Sequence, residues 1–131
     1  MGRWVWFDNG DQYKFWFGTQ SSEDITLLGG ETEKVEWEDD DGEMFVNEEM
    51  IAVHWSRERD LDNLKEIIKV LKAELKEQNG LTYKQAMGKQ EDWSHSKGNV
   101  NWRLVARLNL AHVILKHLKD REDVYCEAEY Y

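Results

Sequence analysis

Proline is missing from all 131 residues, and cysteine occurs once, as Cys126. Without proline, every chain reversal must rest on Gly, Asn and Asp, which tolerate positive φ or bond their own backbone. With one cysteine no intrachain disulfide can form, which points to a reducing compartment. No run approaches the ~18 apolar residues of a membrane span, and the opening MGRWVWFDNG carries no apolar segment of the signal-peptide kind. These absences predict a soluble intracellular protein with no membrane partner. Motifs that carry chemistry are missing too. There is no Gly-rich phosphate loop, nucleophile elbow or paired-cysteine motif. The sequence therefore offers no catalytic residues and implies no enzyme, no cofactor and no metal.

Rings are plentiful instead. Seven Trp, five Tyr and four Phe supply bulky packing from few positions and separate this chain from disordered acidic sequences, which are short of aromatics. The length fits one domain, and no internal repeat or linker interrupts it. Charge is placed unevenly. Residues 1–58 hold 15 acidic and 4 basic side chains, net −11, whereas 59–131 hold 12 and 13, net +1. A whole-chain charge of −10 disfavours a general nucleic-acid coat, whose affinity comes mainly from neutralising phosphates. The stretch 84–121 runs the other way, with 3 acidic against 8 basic residues.

Asn9-Gly10 is a strong hairpin signal, because a type I′ turn needs positive φ at both central positions. A two-residue turn there sets Trp6 opposite Tyr13 and Trp4 opposite Phe15, with Val5 opposite Lys14 and Arg3 opposite Trp16 on the other side. The aromatic side is expected inward, which makes Trp4, Trp6, Tyr13 and Phe15 core and leaves Trp16 the ring most open to solvent. Ser21 or Ser22 can cap a short helix stopped by Gly29-Gly30. EKVEWE then reads as a half-buried strand carrying Val35 and Trp37. Asp40-Asp41-Gly42 makes a turn, EMFV a return strand, and MIAVHWS a more apolar one.

Helical periodicity starts at Asp60, a natural N-cap. Leu61, Leu64, Ile67, Ile68, Leu71 and Leu75 share one face, and Asn79-Gly80 ends it. Thr82 and Gln85 have capping-box spacing for a short helix. A second long helix over about 100–119 is apolar on two sides, so it needs cover on two sides, from the sheet and from the first long helix or a second copy of the protein. DVYCEAEYY alternates as a final strand with Cys126 inward, joining the N-terminal strands. The fold class expected is α+β: a small antiparallel sheet, of N-terminal strands plus the C-terminal strand, packed on two long helices.

Four groups of residues compete for function. DNGD and DDDGE cluster carboxylates, but they lack EF-hand spacing, and hairpin turns demand these residues anyway. Cys126 and His54 read as a buried strand thiol and a strand imidazole; a hydrolase or transferase would need a deep pocket holding one of them. His112 and His117, five apart, point about 140° apart on a helix and cannot chelate one ion. The basic stretch, with Lys89, His95, Lys97, Asn99, Arg103 and Arg107 leading into the second long helix, suggests a nucleic-acid contact of helix-turn-helix type. Its connecting loop is long for that motif, and a solvated rim reads equally well. Last, Glu36, Glu38, Asp39, Asp40, Asp41 and Glu43 form a dense negative strand–turn–strand, suited either to plain solubility or to docking on a basic protein surface, with Trp16 as an accompanying ring.

YKFWFGTQSSEDI, followed by Gly29-Gly30 and VEWEDDDGEMFV, resembles stretches of uncharacterised small proteins of large eukaryotic DNA viruses, marseillevirus-like ones among them. The resemblance covers residues 13–46. It implies a viral accessory or virion protein made in the host cell, and it assigns no functional residue. The sequence points to a non-enzymatic, homo-oligomeric interaction protein whose partner has a basic surface. The alternative is a nucleic-acid binder using 84–121.

Overall fold

The hairpin at Asn9-Gly10 forms, one residue out of the expected register. Trp4 pairs with Lys14, Val5 with Tyr13 and Trp6 with Gln12. The loop is three residues long, Asp8–Gly10, closed by Gly10 N–H to Phe7 O and Phe7 N–H to Asp11 O. Gly10 alone takes positive φ, 93°, as in a type I turn followed by a bulge glycine. Asn9 Oδ1 accepts the Asp11 N–H at 3.0 Å and fixes the longer loop. A one-residue slip exchanges the two faces of a strand. Val5, Phe7, Tyr13 and Phe15 are consequently buried, while Trp4 is exposed and Trp6 half-buried. Trp4 and Trp6 are thus not core. Trp16, expected to be open, is half-buried against the core.

The computed structural model describes residues 3–16, 19–88 and 100–129; the expected alternation at Tyr130 and Tyr131 lies outside them. In chain order the elements are β1 (Trp4–Phe7), β2 (Gln12–Lys14), α1 (Ser22–Thr26), β3 (Glu31–Glu38), β4 (Met44–Ser56), α2 (Arg57–Asn79), α3 (Tyr83–Gly88), α4 (Trp102–Asp120) and β5 (Asp123–Glu129). The five strands form one antiparallel sheet in the order β2-β1-β5-β4-β3. The C-terminal strand is therefore central, between the two N-terminal hairpins. One face of the sheet packs on α2 and α4, which gives the α+β architecture expected.

Local chemistry explains most element ends. Ser21 and Asp24 form a capping box at α1, with Ser21 N–H donating to Asp24 Oδ2 at 2.8 Å. Thr82 and Gln85 form one at α3, each backbone N–H donating to the other's side chain. Gly80 ends α2 in the left-handed conformation, φ 66°. Asp60 is not the N-cap of α2. The helix begins three residues earlier, and Asp60 lies in its first turn, where its carboxylate accepts the Ser56 N–H at 2.9 Å. A reach-back carboxylate and a cap are easily confused in sequence, since both satisfy the same orphan donors.

The two-sided cover of α4 comes from within the chain. Leu104, Leu108, Ala111, Ile114 and Leu118 are buried, and so are Val105, Ala106 and Leu110 round the helix. The contacts of α4 run to α2, α1, α3 and β5. Close approach matters at Gly30: a Cβ there would lie 2.6 Å from Val53 Cγ1 and 2.7 Å from Trp55 Cε2. The fully buried Trp55 ring is thereby free to donate Nε1–H to Leu28 O at 3.1 Å.

Candidate protein-docking arm

Strand β4 is 13 residues long, but β5 pairs only with its last seven, Met50–Ser56. Beyond Lys34 and Ile51 the ladder breaks register and resumes as Val35↔Asn47, Glu36↔Val46, Trp37↔Phe45 and Glu38↔Met44. Asn47 Oδ1 accepts the Glu49 N–H within that irregularity. The result is a two-stranded arm continuing past the five-stranded sheet. Among the described residues this ribbon has no third strand on which to bury its side chains. Trp37 is 52% exposed, Met44 58%, Phe45 41% and Val46 41%.

The arm is preorganised. The Trp37 and Phe45 rings stack across the two strands with centroids 4.9 Å apart. At the tip, Asp39 organises its own turn: its Oδ1 accepts the N–H groups of Asp41 and Glu43, both at 2.9 Å. Gly42, φ 85°, supplies the left-handed residue. Residues 31–49 hold ten carboxylates and one lysine, Lys34. Glu31 is engaged by Arg59 at 2.9 Å, and Asp39 is committed to the turn. Glu36, Glu38, Asp40, Asp41 and Glu43 all remain exposed. The sequence placed the charge correctly and missed the rings. Val35 and Trp37 read as a half-buried strand because alternation carries no information about whether a neighbouring layer reaches that far. The available signal was the return strand: Met44, Phe45 and Val46 are three consecutive apolar residues, more than a one-faced strand needs.

The other candidates disperse. Val53 pairs with Cys126, so His54, next along the strand, lies on the opposite face and the sheet separates it from the thiol. His54 Nε2 is 3.0 Å from Asp123 Oδ1, an exposed surface pair. His117 stacks on Phe7 at 4.3 Å in a cleft of about 340 Å³, with Asp11 at 3.5 Å. Burial and the neighbouring Arg121 guanidinium push its pKa down. His112 lies against Tyr83 instead. Among the described residues no group of three or more His, Cys, Asp or Glu side chains could hold a metal ion, and no helix is long and apolar enough to cross a membrane.

Of the basic set, Lys89, His95, Lys97 and Asn99 lie outside the described residues. Arg103 is exposed on the first turn of α4. Arg107 is engaged inside the fold, its Nε donating to the buried Asp24 carboxylate at 2.9 Å. One of the two described arginines of that set is thus part of an internal ion pair. No protein-family model, curated protein or solved structure matches the chain.

Cys126 is fully buried, and that burial pushes its thiol up to about 12 from an ordinary value near 9. The folded chain therefore holds a neutral thiol, which predicts no reaction with a disulfide reagent at mildly alkaline pH until the protein unfolds. The linkage sign is that of a raised pKa. Stability is fully present below about pH 9 and is lost as pH rises towards 12, because the unfolded thiol releases its proton first. Urea titrations across that window should show a shallower alkaline decline for Cys126→Ala than for the natural chain. Equal slopes would contradict the buried neutral thiol.

Proposed function

We propose that this chain is a non-enzymatic interaction protein that presents its β3–β4 arm to a protein bearing a basic surface with an apolar seat. The observation that carries the reading is a stacked, half-exposed Trp37–Phe45 pair on a ribbon whose surroundings are almost wholly anionic. Aromatic anchors supply most of the energy at protein interfaces. Charge of one sign around them sets the approach rate and rejects partners of like charge. Plain solubility accounts for the carboxylates alone; it gives no reason for four apolar side chains on the same arm.

A role as a viral accessory or virion-associated protein fits this reading, since the arm lies largely within the resemblance at 13–46. The nucleic-acid alternative is weaker, because Arg107 is already paired with Asp24. Affinity capture from the host cell, done in parallel at low and high salt, tests the proposal. Basic proteins should be recovered and lost as ionic strength rises, since exposed charges are screened beyond about 3 Å at 1 M salt. Glu36→Gln, Glu38→Gln, Asp40→Asn, Asp41→Asn and Glu43→Gln together should reduce recovery as salt does. Recovery of only acidic or neutral partners, insensitive to salt, would defeat the reading.

A further inference from the structure

A groove on the helical layer has the complementary character to the arm. Lys72 and Lys76 stand one turn apart on α2, Lys84 comes from α3, and Leu81, Tyr83 and His112 line the space between them, about 500 Å³ in volume. Among the described residues no carboxylate lines it. The Tyr83 and His112 rings meet at 4.7 Å, and His112 Nε2, although buried, has no hydrogen-bond partner among the described residues. All three lysines are exposed, so their charge is not spent inside the fold. A cavity of this size falls within the range, about 300–1,000 Å³, that encloses ring-bearing ligands.

We propose that this groove seats the arm of a second copy of this chain, an inference that rests on the reading of the arm as a docking element. Trp37 and Phe45 meet the apolar and aromatic floor, while Asp40, Asp41 and Glu43, the tip carboxylates not committed to the turn, face Lys72, Lys76 and Lys84. Three anions meet three cations, and two stacked rings meet two rings. In β3, Val35 and Trp37 alternate with Lys34 and Glu36 and so continue the sheet face turned from the helices. The groove opens on the helical layer. One copy's arm thus reaches another copy's groove: exchanged reciprocally the contact closes a two-fold dimer, and passed on head-to-tail it builds rings or chains.

The experiment uses two variants of the full chain. Trp37→Ala with Phe45→Ala disables the arm; Lys72→Gln, Lys76→Gln and Lys84→Gln disable the groove. All five side chains are exposed, and circular dichroism checks that both variants remain folded. Sedimentation of the natural chain should show mass rising with concentration and falling with salt, and each variant alone should associate at least about tenfold more weakly. An equimolar mixture should then form a one-to-one dimer that grows no further, because it contains one intact arm and one intact groove. A natural chain that stays monomeric, or a mixture that stays monomeric, overturns the inference. Failure of the underlying reading is separately visible in host-cell capture. If the natural chain stays monomeric while the groove variant still recovers basic partners, the arm reading stands without self-docking; if the arm variant recovers them as well as the natural chain does, the arm reading itself falls.

Discussion

Asp24→Ala is expected to destabilise the fold by about 3 kcal/mol, the lower end of the roughly 3–5 kcal/mol lost when one member of a buried ion pair is removed. Asp24 is 1% exposed. One of its oxygens accepts Arg107 Nε–H at 2.9 Å and the other accepts the Ser21 N–H at 2.8 Å. The substitution therefore removes the reach-back half of the α1 capping box and strands a guanidinium between α1 and α4. The low end applies because the Arg107 side chain keeps 25% of its exposure and can partly rehydrate. Replacing both residues, Asp24→Leu with Arg107→Met, should cost less than the single change, since it leaves no unpaired charge. Urea unfolding followed by tryptophan emission measures both. A single-mutant loss below about 1 kcal/mol would show that the pair lies at a wet surface rather than inside the fold. The same pair bears on function: a loss of nucleic-acid binding in Arg107→Ala would report unfolding unless stability were measured beside it.

How far the fold was legible in the sequence depended on whether a feature was local. The Thr82–Gln85 capping box, the Gly80 stop, the Ser21 cap and the period of both long helices are each decided within a few residues, and each forms as read. The first hairpin shows where local reading gives out. Asn9-Gly10 specifies a turn, but two- and three-residue loops both accept that dipeptide, and the choice between them exchanges Trp4 and Trp6 for Val5 and Phe7 at the core. The decision is made by β5, against which Val5 pairs with Ala128 and Phe7 with Cys126, some 120 residues away. The candidate site divides in the same way. Carboxylates are legible as charge wherever they stand. The exposure of Trp37 follows from where β5 stops pairing, a fact of the sheet rather than of the strand. The groove joins Lys72, Lys84 and His112 from three helices, and no spacing announces it.

Trp37→Ala with Phe45→Ala should weaken binding to the partner recovered by capture at least about 30-fold, equivalent to the roughly 2 kcal/mol that defines an interface hot spot, and change folding stability by less than about 1 kcal/mol. The asymmetry follows from position. Trp37 is 52% exposed and Phe45 41%, so the fold gains little from burying them and an interface can still gain much. Trp55 offers the internal contrast. It is fully buried, with its Nε1–H bonded to Leu28 O, and Trp55→Ala should cost about 3–5 kcal/mol of stability. Kinetics separate the two components of the arm. Losing the rings should act on dissociation, because packing contacts exist only in the bound state, whereas neutralising the tip carboxylates should slow association and flatten its salt dependence. An arm variant that binds as the natural chain does, while unfolding at a lower urea concentration, would mean that the Trp37–Phe45 stack serves the ribbon's own stability. The acidic arm would then be a solubilising surface and nothing more.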